Sequence, residues 1–285
     1  MKKSLILAFS LALTPALFAE GPGDDVKAAV KKLSDAGSYS WTTSSTGSFG
    51  GGGGGNGGGM TTEGKTDKSG AACLVSKWGD QPGRETIIKN GKAAVKTDEG
   101  WKSGDELSTR GPNNGGGNGG GDNGGQRRRT GGGFAARMAE TFKAPAAEAE
   151  ALAGGVKELK KDGDAISGEL SEEAVKARLT FGGGRRGGNG GGDNNNAPPA
   201  PTNTKGSVKF WIKDGVLAKY EVTVSGTFQG RDGQSRDISR TSTTEIKDAG
   251  STKLEIPAEA QAKLDAAKTE KKEEEKKEEK KKDEV

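Results

Sequence analysis

GSVKFWIKDGVLAKYEVTVSG (206–226), then SRDISRTSTTEIKDAGSTKLEIP (235–257) and AEAQAKL (258–264), is the stretch on which the fold turns. Alternation puts Val208, Phe210 and Ile212 on one face of a strand, and Val216, Ala218, Tyr220, Val222 and Val224 on one face of the next. Two links fit between them. A two-residue Asp214-Gly215 loop pairs Ile212 with Leu217 and, with regular pairing, sets Lys219 and Glu221 opposite Phe210 and Val208. A three-residue loop, Lys213-Asp214-Gly215, pairs Ile212 with Val216, Phe210 with Ala218 and Val208 with Tyr220. A one-residue slip sends a whole apolar set to solvent, so the three-residue register is expected, with Gly215 left-handed. The hairpin then has one apolar face in need of a cover, and Trp211 points the other way, among Lys209, Leu217 and Lys219.

Working outward, the N-terminus reads as a targeting segment. Lys2 and Lys3 precede an apolar run from Leu5 to Leu13, and Ala16-Leu17-Phe18-Ala19 offers a cleavage point before Glu20. This is the charged, apolar and small-residue order of a secretory signal, too short to span a membrane, so residues 1–19 are expected to be removed. No cysteine lies near that site, so no lipid anchor is expected, and the mature chain should be exported and soluble, periplasmic or extracellular, with no transmembrane segment. Cys73, the single cysteine, cannot form an internal disulfide and sits in the apolar run Ala71–Val75, where it reads as a small buried hydrophobe.

The 285 residues contain no histidine, which removes Ser-His-Asp and Cys-His catalysis and histidine metal sites. Formal charge is +4, and loss of Lys2 and Lys3 leaves +2, a balance that argues against a dedicated nucleic-acid binder. Carboxylates are plentiful, but Glu169, Glu172 and Glu173 read as helix-start acids and Asp162 and Asp164 as turn residues. No catalytic residue, metal or cofactor is proposed, and the chain is read as not an enzyme.

Three low-complexity inserts, 47–59, 111–133 and 182–203, are mostly Gly and Asn and are expected to be disordered loops, since glycine loses the most backbone freedom on ordering. The tail, 265–285, carries 8 basic and 9 acidic side chains and reads as a solvated, partly helical polyampholyte. Arg127, Arg128, Arg129, Arg185 and Arg186 lie inside glycine runs; solvated charge or contacts to an anionic envelope surface is preferred over nucleic-acid binding. Residues 20–264 are expected to form a single domain, with the inserts between its elements.

The remaining blocks have a readable order. A helix over 24–36 stops at Gly37, and a strand starts at Tyr39-Ser40-Trp41. Short strands follow over 61–66, 71–78, 85–89 and 92–97, the last two joined by the hairpin signal Asn90-Gly91, before Trp101. Residues 134–153 read as helix in two pieces broken at Pro145, with Phe134, Met138 and Phe142 on one face. A hairpin around Asp162-Gly163, a helix capped by Ser171, the opening hairpin, a Thr-rich strand over 236–247, a strand over 252–256 and a helix begun by Pro257 complete the chain.

This order, with Tyr39-Ser40-Trp41 after a short helix, Asn90-Gly91 before Trp101, and the Asp214-Gly215 hairpin leading to Leu254-Glu255-Ile256-Pro257, resembles the periplasmic LolA/LolB-like and LprG/LppX-like lipoprotein-carrier superfamily. The resemblance implies an α+β fold, an incomplete antiparallel β-barrel (half-barrel) wrapped over short helices, with an apolar cavity between them for acyl chains. The residues expected to line it are Trp41, Trp101, Met138, Phe142, Val208, Phe210, Tyr220 and Val222; as plain core residues they need no function. The function expected is that of a carrier for a lipid or lipoprotein acyl chain. The second reading is an envelope or surface interaction protein, with the half-barrel as scaffold and the Gly/Asn-rich loops making weak multivalent contacts.

Overall fold

The computed structural model describes residues 21–48, 59–108, 138–182, 200–229 and 234–266. The readings made above for 1–19, for most of each insert with its arginines, and for the tail beyond 266 lie outside the described residues.

Eleven strands form one antiparallel sheet. They are β1 (Tyr39–Ser48), β2 (Met60–Thr66), β3 (Ala72–Trp78), β4 (Arg84–Lys89), β5 (Lys92–Thr97), β6 (Gly100–Ser103), β7 (Lys160–Asp162), β8 (Ala165–Glu169), β9 (Thr202–Lys213), β10 (Val216–Gln229) and β11 (Ser235–Lys247). The labelled helices are α1 (Pro22–Ala36), α2 (Gly104–Ser108), α3 (Pro145–Gly154), α4 (Glu172–Gly182) and α5 (residues 258–266), and residues 138–141 are also helical, separated from α3 by 142–144. The spatial order β6-β5-β4-β3-β2-β1-β11-β10-β9-β8-β7 is two meanders fused where β1 pairs with β11. Strands β6 and β7 remain as edges, so the sheet is an open half-barrel, the expected class.

The opening hairpin departs from the expected register. Lys213 pairs with Val216 and Ile212 with Leu217, so the loop has two residues, Asp214 (φ 54°) and Gly215 (φ 71°), both left-handed as a type I′ turn requires. The pairing then jumps at Ala218, which puts Trp211 opposite Lys219, Phe210 opposite Tyr220 and Val208 opposite Val222. A bulge thus reconciles the tight turn with the apolar register. Leu217, expected outside, is buried, while Val216 and Ala218 are only half-buried. Trp211 does face outward, and the Lys219 ammonium lies 4.5 Å from its ring centroid. Asn90 (φ 52°) and Gly91 (φ 72°) form the expected turn between β4 and β5.

The covers are the helices anticipated. α1 buries Val26, Ala29, Val30 and Leu33 and ends at Gly37, left-handed at φ 70°. α3 begins at Pro145 and buries Ala146, Ala149 and Leu152. The Ser171 hydroxyl accepts from the Ala174 N–H at 3.3 Å and caps α4. Gly206 and Gly226 let α4 approach β9 and β10: a Cβ on the first would stand 2.6 Å from Val175, and on the second 2.8 Å from Leu179.

Residues 252–257 are not a strand. Their chain neighbour β11 is already paired on both sides, by β1 and β10, so they cannot add a strand beside it. They run instead to the outer face, where Ile256, Ala260 and Leu264 pack on Ile87, Ala94 and Trp101. Lys263 Nζ meets Glu106 Oε1 of α2 at 2.6 Å, and that hydrogen bond holds the Glu106 carboxyl below its usual value.

Candidate functional site

The cross-strand register sorts the inner face into rows. Tyr39, Thr66, Ala72, Ile88 and Ala93 form one row, and Ile246, Trp41, Gly64, Leu74 and Thr86 the next. Above them the chemistry changes to hydroxyls: Thr244, Thr43, Thr62 and Ser76, then Ser242 and Ser45. These side chains bond to one another across strands, Thr43 to Thr244 at 2.9 Å, Ser45 to Ser242 at 2.8 Å and Thr62 to Ser76 at 3.1 Å. The final row on this side holds Arg240 opposite Gly47. The same rows on β8–β10 are apolar, with Ile166, Phe210, Tyr220, Val208, Val222 and Val224. The inner face therefore has a hydroxyl wall and an apolar wall, joined along β10 and β11.

Seven of the eight residues expected to line a cavity belong to the inner apolar cluster as buried or flanking members on the sheet and the chain before α3. Val208, Phe210, Tyr220 and Val222 are at most 2% exposed and Trp41 5%, so these side chains are core. Phe142, half-buried, stacks on Trp41 with ring centroids 6.3 Å apart. Met138 is the seventh, likewise half-buried against this cluster. Trp101 is not brought together with them. It lies on the opposite face under α5, because in β4 Ile88 points inward and Ile87 outward, and Trp101 shares the outer side with Ile87 and Ala94.

Both tyrosines of the chain pin α3. The Tyr39 hydroxyl accepts from the Ala146 N–H at 3.2 Å, one of the first-turn donors that a helix cannot satisfy itself. The Tyr220 hydroxyl donates to Glu148 Oε2 at 2.7 Å, while Glu148 Oε1 takes the Arg178 guanidinium from α4. Burial pushes both phenols above their usual value, and at Tyr220 the Glu148 charge adds to the shift. Arg240 faces the same group of charges. Burial, and then the Arg178 charge, hold its guanidinium below the usual value, and Glu148 acts the other way. Among the described residues no hydrogen bond or ion pair takes up the Arg240 side chain. The hydroxyl wall and this charged cluster were missed from sequence, although Ser and Thr at alternate positions of 43–45 and 242–244 are visible there.

Cys73 is half-buried; burial and the Glu85 carboxylate, 3.8 Å away, push its thiol up to about 11. A phenol or thiol with a raised folded value holds its proton more tightly when folded. Its stabilisation is therefore complete below the unfolded value and is lost as pH rises through the folded one. Tyrosinate absorbance should accordingly show no step near pH 10, and both phenols should ionise together with cooperative alkaline unfolding. A separate tyrosinate step before unfolding would contradict the burial of these hydroxyls.

An open groove of about 410 Å³ lies elsewhere, between the first turns of α1 and the turns after β7 and β9; Asp25, Ala29, Lys161, Asp164, Ile166 and Ile212 are among its lining. None of the eight expected residues lines it. Among the described residues no group of His, Cys, Asp or Glu is placed to hold a metal ion, and no helix is long and apolar enough to cross a membrane.

The class these observations define is an open α+β half-barrel with helices on its inner face. No family model and no curated protein matches the chain. Among solved structures it is similar to the lipoprotein LppX of Mycobacterium tuberculosis, at 14% identity over 82% of this chain and 97% of that one, with a TM-score of 0.40. It is also similar to LprF of Mycobacterium bovis (10% identity, 84% and 97% covered, TM-score 0.39). A LolA superfamily protein of Nitrosomonas europaea is similar at 9% identity, with 83% and 96% covered and a TM-score of 0.31. These likenesses concern the fold alone.

Proposed function

We propose that this chain is an exported, non-enzymatic carrier-like protein that binds the acyl chain of a lipid or lipoprotein on its inner face. The supporting observation is a fringe of half-buried apolar side chains, Met138, Phe142, Phe228 and Ile238, packed against the sealed core but still reaching solvent. Residues there can exchange water for methylenes at ~0.8 kcal/mol per buried CH2 without disturbing Phe210 or Tyr220. The apolar wall takes the chain, and the hydroxyl wall beside it takes the polar end of an amphiphile.

Delipidated protein titrated with a monoacylglycerol should give a ligand adduct in native mass spectrometry and a higher melting midpoint. Saturation at about 100 times the Kd corresponds to ~2.7 kcal/mol of added stability. Absence of both signals sinks the proposal. A second reading, an envelope interaction protein using the half-barrel as scaffold, is favoured by the side-chain-filled interior around Val208 and Phe210, both 0% exposed. In that case the melting midpoint stays where it was with every amphiphile.

A further inference from the structure

The inner face ends in two guanidinium groups, Arg178 and Arg240, of which only Arg178 is paired with the nearby Glu148 carboxylate. Glu148 has a partner on each oxygen, Arg178 on Oε1 and Tyr220 on Oε2, so its hydrogen bonding is committed to holding α3, α4 and β10 together. Arg240 stands beside this arrangement and, among the described residues, no carboxylate is bonded to it. Its strand neighbours on the inner face are Ile238 and Ser242, and its cross-strand partners are Gly47 and Val224, none of which carries a negative charge. Gly47 packs its backbone against β11, where a Cβ would stand 2.8 Å from Arg240 Cα, and it offers the guanidinium no side-chain partner. A half-buried cation costs stability unless something compensates it. Among the described residues no carboxylate bonds to it, while the half-buried Ile238 adjoins it along β11.

We propose that Arg240, with Arg178 beside it, seats the anionic headgroup of the bound amphiphile, a phosphate or carboxylate, at the end of the hydroxyl wall. The assignment rests on the acyl-chain reading above and adds the headgroup chemistry to it. A guanidinium offers planar paired donors to such an oxyanion, and its charge-assisted bonds strengthen where water is partly excluded. The acyl chain then runs from Arg240 along Ile238 and Phe228, and the half-buried Thr43 and Ser242 hydroxyls lie nearest the glycerol or sugar portion.

The test uses the purified, delipidated full chain with three probes: lysophosphatidylglycerol, a monoacylglycerol of the same chain length, and inorganic phosphate. The wild type should bind the anionic lipid about tenfold or more tightly than the neutral one, the range of a charge-assisted hydrogen bond. Arg240→Gln should remove that preference and leave monoacylglycerol binding unchanged, and Arg240→Lys should keep most of it. Arg240→Gln should also melt at a higher temperature than the wild type, because it removes a partly desolvated charge that no carboxylate pairs; a residue with a purely structural role would shift melting the other way. If Arg240→Gln weakens both amphiphiles equally, or if the anionic preference survives in it, the headgroup seat is wrong while the carrier reading stands. If inorganic phosphate binds in an Arg240-dependent way and neither amphiphile binds more tightly than it does, the guanidinium site stands for a free anion and the acyl-chain reading falls.

Discussion

Phe210→Ala should destabilise the fold by about 3–5 kcal/mol, enough to remove a large part of the stability of an ordinary domain. The ring is fully buried at the crossing of three strands, opposite Tyr220 on β10 and Ile166 on β8. Truncation removes the transfer energy of the ring, and the site cannot collapse to recover it. β9 is hydrogen-bonded on both sides, and the inner face at this level is covered by α1, whose Val26, Val30 and Leu33 are themselves in the cluster. Chemical denaturation should show a lower midpoint at unchanged slope, the signature of lost stability rather than of an altered unfolded state. Lys219→Ala, across the sheet on the outer face, is the control and should barely move the midpoint. Equal shifts for the two variants would mean that the inside and outside of β9 and β10 have been exchanged, as the slipped register of this hairpin would require.

That register shows where sequence reasoning reached its limit. The composition of 208–224 demanded that Phe210 and Val208 face apolar partners, and they do, but the link was inferred from regular pairing alone. Asp214-Gly215 is strong type I′ chemistry, and the chain keeps it by absorbing the extra residue at Ala218. A small residue in mid-strand carries no sign that it is a bulge. The 252–256 segment failed for a different reason. Leu254 and Ile256 alternate well, but a strand also needs a free edge, and edge availability is a property of the assembled sheet.

The helix starts, the Asn90-Gly91 turn and the half-barrel class were legible because each rests on local chemistry that several residues support together. The site was less so. Alternation separates two faces but does not say which face of β4–β6 meets α1 and which meets α5, so Trp101 was grouped with side chains that lie on the other side of the sheet. Ser and Thr suit either face of a strand, and the Thr-rich stretch of β11 therefore announced a strand without announcing a polar wall. Arg240 in that stretch could be recognised only once the register set it across from Gly47 and near Glu148.

Gly64→Val should cost about 2–3 kcal/mol, an overpacking loss with no room for relief. Gly64 lies directly opposite Trp41 on the inner face, and a Cβ at that position would fall inside the indole, with Trp41 Cδ2 only 2.8 Å away. The indole has nowhere to retreat. Phe142 stacks on it at 23° between planes, and Tyr39, which is tied to α3 through Ala146, stands 5.8 Å from it between centroids. Displacing Trp41 therefore means displacing Phe142 and the segment leading into α3, the part of the cover that borders the half-buried fringe. This makes the substitution a probe of that cover as well as of stability. Phe142→Ala in the same chain should relieve part of the strain, with a coupling of about 0.5–3 kcal/mol between the two changes measured as a double-mutant cycle. Strict additivity would show that the indole is not confined between Gly64 and Phe142. In that event the boundary between sealed core and open inner face would have to be drawn at a row other than the one Trp41 occupies.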